Sequence, residues 1–332
     1  MKVVIDAMGG DKAPYEIIKG AVDAARELNV DLILVGKQEI IQEELKKHNI
    51  DGLNIEVVNA TEIIENNESP TMAIRRKKDS SLVVAFKLLK EGKADALVSA
   101  GSTGAILAGG IFLLGRINGI DRAALTPVIP GKNGPFVIVD AGANADCKPN
   151  NLLQFALMGE VYANKVLGIN NPKVALANIG AEEEKGNELT KQSYGILKEN
   201  IKGFVGNIEG RDIPNGDVQV VVCDGFTGNM ILKVYEGVAA TIFDILKSEI
   251  MSSTMTKIGG MLLKPVFKKF KRKFDYTEYG GAILLGVEGL VIKAHGSSNA
   301  KAFKNAIRQA KNAFDGKILQ DIKEELNRIN RE

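Results

Sequence analysis

The chain has no tryptophan, two histidines and two cysteines in 332 residues, and aromatic residues make up only 5%. Few aromatics leave little to stack on bases or sugars. Cys147 and Cys223 lie far apart, which excludes a disulfide framework and reads as two free thiols in a reducing compartment. No His or Cys stands at metal-ligand spacing, and His48 falls in the polar run Lys46–Asn49, so no metal is expected. Asp6 and Asp11 are five apart in a glycine turn, a weak magnesium pair that reads equally as helix caps. There is no run of 18 or more apolar residues to span a membrane. Met1-Lys2 runs straight into Val3-Val4-Ile5, so no signal peptide is expected. There is no G-x-x-x-x-G-K-[ST], and no G-x-G-x-x-G followed by an acid for a ribose. A triphosphatase of that type and a nicotinamide enzyme are therefore excluded, and no cofactor is expected.

Charge is nearly balanced at +2, but unevenly placed. Lys257, Lys264, Lys268, Lys269, Lys271, Arg272 and Lys273 form a basic run with no acid between them. Taking those seven from 43 basic residues leaves the rest of the chain acidic against its 41 Asp and Glu. The cation is a local patch and not a nucleic-acid surface.

Glycine, in contrast, is abundant at 35 residues. Short β-branched runs alternate with longer amphipathic ones. Strands are expected at Lys2–Asp6, Asp31–Val35, Ile55–Val58, Ala94–Ser99, Ala124–Ile129, Phe136–Asp140, Lys173–Ile179, Gly203–Ile208 and Val218–Cys223. Helices are expected at Pro14–Leu28, Gln38–His48, Pro70–Glu91 in two parts, Asn151–Leu167, Asn187–Asn200, Gly228–Ile250, Ser298–Ala313 and Ile318–Arg328. Ala282–Val287 and Gly289–Ala294 read only as short apolar pieces. The alternation predicts a three-layer α/β/α sandwich on a mostly parallel, Rossmann-like sheet, as one domain over residues 1–332. Ligands on such sheets sit beyond the strand C-termini, so the loops after the strands are expected to share one rim.

Those loops pair glycine with Asp, Asn, Ser or Thr. The clearest is Leu97–Gly110, where a strand turns through Gly101, Ser102, Thr103 and Gly104 into an apolar helix. Backbone N–H groups and hydroxyls at such a junction favour an anion. The helix beyond it carries Ile106, Leu107, Ile111 and Phe112, either as plain core or as the lining of an apolar channel. Ala100–Gly104 also resembles a nucleophile elbow with alanine first, and Asp224 and His295 follow in the Ser-Asp-His order of such hydrolases. Residues 250–276 read as a protrusion of two short amphipathic helices, broken at Gly259-Gly260 and Lys264-Pro265. Leu262, Leu263, Val266, Phe267 and Phe270 beside Lys268 and Lys271 have the composition of an interfacial helix on an anionic membrane. A helical hairpin packed on the core or on a second subunit is the alternative.

The motifs taken together resemble a known family. Asp6-x-Met8-Gly9-Gly10-Asp11, Ser99–Ala105, Asp140-x-Gly142-Ala143-Asn144, Asn178-x-Gly180-x-Glu182-Glu183-x-Lys185-Gly186, Gly206-Asn207-x-Glu209-Gly210, Asp224-Gly225-Phe226-x-Gly228-Asn229 and His295-Gly296-x-Ser298 look like the bacterial phosphate acyltransferase PlsX. The resemblance runs from about Lys2 to Ala313 in the family's motif order. It implies a fold similar to phosphotransacetylases and isopropylmalate dehydrogenases. It implies transfer of a long-chain acyl group from acyl-carrier protein to inorganic phosphate, for phospholipid synthesis. It further implies a homodimer in the cytoplasm, at the inner face of the cell membrane, beside a downstream membrane glycerol-3-phosphate acyltransferase. Phosphate is itself the nucleophile in such a reaction, so no covalent enzyme intermediate is needed. The candidate catalytic residues are Ser102, Asp224, Asn229 and His295. Candidates for holding phosphate or substrate are Gly9, Gly10, Asp11, Gly101, Thr103, Gly104, Asn144 and Ser298, with Arg75, Lys77 and Lys185 as cations. Two rival readings stand beside this one: a serine hydrolase using Ser102, Asp224 and His295, and a non-enzymatic membrane-associated regulator of lipid synthesis.

Overall fold

Strands buried on both faces are near-continuous apolar runs, and the inner strands of this chain meet that description, whereas Ile55–Asn59 and Phe204–Glu209 are partly exposed. The computed structural model describes residues 1–273 and 278–329. In chain order the elements are β1 (Lys2–Asp6), α1 (Tyr15–Leu28), β2 (Asp31–Gly36), α2 (Gln38–Leu45), β3 (Ile55–Asn59), α3 (Pro70–Arg76), α4 (Ser81–Lys90), β4 (Ala96–Ser99), α5 (Thr103–Gly109), β5 (Ala124–Pro130) and β6 (Pro135–Val139). They continue with α6 (Pro149–Lys165), β7 (Val174–Asn178), α7 (Glu188–Asn200), β8 (Phe204–Glu209), β9 (Val220–Val222), α8 (Gly225–Ile250), α9 (Thr254–Lys273), β10 (Gly281–Leu285), β11 (Leu290–Ala294), α10 (Ala300–Asp315) and α11 (Ile318–Ile329).

The described strands form one sheet in the order β3-β2-β1-β4-β11-β10-β5-β6-β9-β7-β8. Alternation along each strand feeds two layers. Val3 and Ile5 of β1 face α1 and α10, whereas Val4 faces α4. The α10 stripe Phe303, Ala306, Ile307, Ala310 and Ala313 is wholly buried, at helical spacing. Helices α1, α6, α10 and α11 cover one face; α3, α4 and α5 cover the other face of the first half, and the base of α8 that of the second. The expected α/β/α sandwich is what forms.

Ala282–Val287 and Gly289–Ala294 are more than apolar pieces. They fold as β10 and β11, an antiparallel pair turning at Gly286, in the middle of the sheet. β11 runs parallel to β4, but β10 runs antiparallel to both β11 and β5, and β5 antiparallel to β6. Strands β6, β9, β7 and β8 therefore run opposite to β1, β2, β3 and β4. This corrects the expectation of a single rim: the loops fall into two sets, because an apolar run carries no sign of strand direction.

The second correction concerns residues 250–276. Thr254–Lys273 is one helix, with Pro265 inside it, in place of two short ones. Its chief packing partner is α8, through Phe243 and Phe270, whose ring centroids are 5.5 Å apart. Leu262 (78% exposed), Val266, Leu263 and Phe270 all meet solvent, Phe267 is half-buried and Lys268 is exposed. The side chain of Lys271 and all of Phe274 lie outside the described residues.

The start of α8 is tightly held. Asp224 caps it by accepting from the Thr227 N–H at 2.8 Å. A Cβ on Gly228 would stand 1.9 Å from the Asp140 carbonyl oxygen, whereas one on Gly237 would meet open space. Gly228→Ala is expected to destabilise the protein by about 1–3 kcal/mol. Gly237→Ala is expected to leave stability unchanged or raise it by about 0.5–1 kcal/mol. Thermal and urea unfolding of the two variants checks the contrast.

Candidate active site

Three glycine turns of the first loop set interlock. Asp11 N–H donates to the Gly296 carbonyl at 2.8 Å, joining the loops after β1 and β11. Gly10 has φ +108°, and a Cβ there would stand 2.9 Å from Ala100 and 3.1 Å from the Gly296 oxygen. A Cβ on Gly9 would stand 2.8 Å from the Gly101 nitrogen. Only glycine lets these backbones approach so closely. Beneath them Ser99 donates its hydroxyl to the buried Asp6 carboxylate at 2.7 Å and accepts from Gly101 N–H at 3.0 Å. Burial pushes the Asp6 carboxyl above its ordinary pKa, against these hydrogen bonds.

The second set is braced by Asp140. Its carboxylate accepts from the N–H groups of Leu125, Ala143 and Asn144 and from the Asn144 amide, at 2.7–3.1 Å. Asn144 returns a bond to the Ala123 carbonyl, and its own carbonyl accepts from Gly225 N–H at 2.7 Å. Both Asp224 oxygens go to Thr227. Asn144 and Asp224 thus hold loops and the α8 cap.

A cavity of about 550 Å³ joins the two sets where the strand direction reverses. Thr103, Gly104, Asn229, His295 and Ser298 line it, so five of the sequence candidates meet there. Its apolar wall comes from Leu107, Leu125, Val128, Ile129, Leu232 and Phe243 among others. Of the apolar residues after Gly104, Leu107 is the one on this wall, while Ile106 is core and Ile111 and Phe112 are exposed. Ser102 stands one position before the lining, at the N-cap of α5, with no capping bond from its side chain. Gly9, Gly10, Asp11 and Gly101 lie behind the rim in the interlocked turns.

The three proposed cations lie elsewhere. Arg75 is exposed over the Phe112 ring at 5.7 Å. Lys77 is spent on Glu68 at 2.5 Å and on the Ile63 carbonyl. Lys185 follows β7 near the far end of the sheet, where its carbonyl accepts from Asn178. Sequence reasoning passed over Lys293, which lines the cavity and is 8% exposed. Its signal was available: one lysine inside the apolar strand Leu-Val-Ile-Lys-Ala, two residues before His295.

Burial lowers the His295 pKa below its ordinary value, and its Nδ1 lies 2.8 Å from the Ser297 hydroxyl. Burial pushes the Cys147 thiol up to about 11 and holds the Cys223 thiol well above its ordinary value, so neither is an activated nucleophile. On the other flank of α8, between it and Phe270, lies an apolar groove of about 600 Å³. Tyr235, Ala239 and Phe243 border both spaces.

Comparison with known proteins agrees with this architecture. A family model described as "Fatty acid synthesis protein" matches residues 1–320. A phosphate acyltransferase of Clostridium tetani is 60% identical over 99% of both chains. Another, from Clostridium novyi, is 58% identical over 97% of this chain and 98% of its own. Among solved structures, a phosphotransacetylase from Streptococcus pyogenes superposes with a TM-score of 0.64 at 17% identity, covering 95% of this chain and 94% of that one. The EutD phosphotransacetylase of Staphylococcus aureus gives 0.61 at 16% identity, over 94% of both chains. These two show a shared fold. The chain therefore belongs to the fatty acid synthesis protein family, the family of the bacterial phosphate acyltransferase PlsX, and is an enzyme of the acyltransferase class.

Proposed function

We propose that this chain transfers a long-chain acyl group from acyl-carrier protein to inorganic phosphate, and that the acyl phosphate formed serves phospholipid synthesis. The observation that carries this reading is the cavity itself. It pairs one polar end, with Thr103, Lys293, His295 and Ser298, with a long apolar wall, as a fatty acyl thioester and a small anion require. Neither thiol of the chain is an activated nucleophile, which suits a reaction where phosphate attacks. A phosphate oxygen adds to the thioester carbonyl carbon, and the oxyanion collapses with the thiol sulfur leaving. Holding phosphate against that carbon and stabilising the oxyanion are the protein's tasks. Hydroxyl and N–H donors at Thr103 and Gly104 suit the oxyanion, and the His295 imidazole suits proton delivery to sulfur. A thiol of pKa about 8.5 leaves with little further help. The serine-hydrolase alternative is less well supported, since Asp224 caps α8 through Thr227 and His295 Nδ1 is bonded to Ser297.

The same reading places the protein as a single functional unit, a homodimer, at the cytoplasmic face of the membrane. Among the described residues no helix is long and apolar enough to cross a bilayer. Support for surface contact comes from α9, whose exposed Met255, Met261, Leu262 and Val266 accompany Lys257, Lys264 and Lys268. Each such cation near an anionic bilayer contributes on the order of 1 kcal/mol. Support for a second copy comes from α8, where Val234, Val238, Ile242 and Ile245 form an exposed stripe. The product would pass to the membrane glycerol-3-phosphate acyltransferase.

Thiol release from palmitoyl acyl-carrier protein is expected to depend on added phosphate. Equal release to water would establish the hydrolase instead, and no release with or without phosphate would leave the regulator. Vesicle flotation tests the surface: the chain is expected to float with anionic but not neutral vesicles. Leu262→Glu with Val266→Glu is expected to abolish flotation while phosphate-dependent turnover in solution persists. Unchanged flotation of that variant would sink the membrane reading.

A further inference from the structure

Three side chains stand in one row across neighbouring strands. Lys293 of β11 is in register with Ser99 of β4, and Ser99 bonds Asp6 of β1. Val291, Leu97 and Val4, each two residues earlier on the same strands, belong to one core cluster, so period-two alternation puts Lys293, Ser99 and Asp6 on that same face. Lys293 ends this row at the cavity, next to Ala282 of β10, its register partner on the other side. Its ammonium donates to the Ala294 carbonyl, and among the described residues no carboxylate lies within ion-pair distance. A lysine has three N–H donors, so donors remain for something in the cavity. Lysines are rarely buried without a charged partner, because the charged form is costly to desolvate.

A second buried polar group lines the same space. Ser298 is 3% exposed and lines the cavity, and among the described residues its hydroxyl has no hydrogen-bond partner. A buried donor left unmatched calls for a specific explanation. A buried ammonium with no carboxylate beside it and a buried hydroxyl with no hydrogen bond among the described residues, both on one cavity, are complementary to a compact oxyanion.

We propose that Lys293, with Ser298, is the phosphate-binding pair of the reaction, Lys293 supplying the cation that neutralises the attacking phosphate. The assignment rests on the phosphate acyltransfer reading and adds to it a charged residue that no glycine turn provides. It also explains why Arg75, Lys77 and Lys185 can all lie away from the cavity. Other groups set the field at Lys293: Asp6 and Ser99 on the adjacent strands, Asp11 in the interlocked turn, Lys233 and Glu236 on α8, and His295 just beyond it. Burial pulls the Lys293 ammonium down to about 8, with Asp11 and Asp6 opposing that fall. The free site therefore keeps its cation below that pH and loses it above.

Kinetics and direct binding together test the pair. Lys293→Met is expected to raise the KM for phosphate about 10- to 100-fold, the worth of one charged hydrogen bond. The KM for acyl-carrier protein and the thermal midpoint are expected to stay near wild type. Ser298→Ala is expected to raise the phosphate KM less. In the wild type the phosphate KM is expected to climb above pH about 8, and in Lys293→Arg, which keeps its charge, to stay flat. Should Lys293→Met unfold, the arginine variant and the pH profile decide alone. Calorimetric titration with inorganic phosphate separates the two levels: binding by the wild type that Lys293→Met loses supports the pair even without turnover. Phosphate-dependent turnover with an unchanged phosphate KM in Lys293→Met, or identical pH profiles in wild type and Lys293→Arg, would overturn it.

Discussion

Antiparallel pairing at the centre of the sheet governs this molecule. β10 enters against the direction of both its neighbours, β5 pairs antiparallel with β6, and β6 with every strand beyond it therefore runs opposite to β1–β4. An all-parallel sheet would line up its loops along one edge. Here the turns after β4 and β11, backed by the turn after β1, build one wall, those after β6 and β9 build another, and the cavity occupies the seam. A seam has two chemically different sides. One brings hydroxyls, backbone donors and a buried lysine; the other brings α8 and a wall of aliphatic carbon. That division is what a substrate with a charged head and an apolar tail needs.

Each wall is fixed by a buried carboxylate that acts on the backbone. Asp6 ties β1 to β4 through Ser99, and Asp140 gathers the loop after β6 around Asn144 and the start of α8. Both carboxyls are raised in pKa by burial, and both are held by several donors. Such groups rigidify the loops that carry the chemistry, and a rigid oxyanion site does not reorganise when charge develops. The glycines serve the same end by letting the turns interlock without intervening side chains.

Much of this was legible beforehand. Period-two and period-3.6 patterns placed most strands and helices, and the glycine-polar turns singled out Thr103, Gly104, Asn229, His295 and Ser298, all of which line the cavity. What stayed hidden was pairing and direction. Ala282–Val287 and Gly289–Ala294 have strand composition, but only a partner tells whether a strand runs up or down. Polar stretches, where lysines are common, point to Arg75, Lys77 and Lys185, and these lie on the outside or in ion pairs. Lys293 broke the pattern of its own strand and so went unnoticed. A single charged residue inside an apolar run is rare enough to be the stronger signal. Pro265 likewise suggested a break, yet α9 continues through it.

Helix α8 is 26 residues long, about 39 Å at 1.5 Å per residue. Its cap, its glycine contact and its buried residues are all in its first turns, and its far half is exposed. Mechanically it is a beam clamped at one end, with Asn229, Tyr235 and Phe243 along the side that faces the cavity. A tilt of about 5° at the clamp would carry the tip roughly 3 Å by simple geometry on that length. The width of the apolar slot is therefore set at the outer end by whatever rests against the beam, and at the inner end by Asp224 and Gly228.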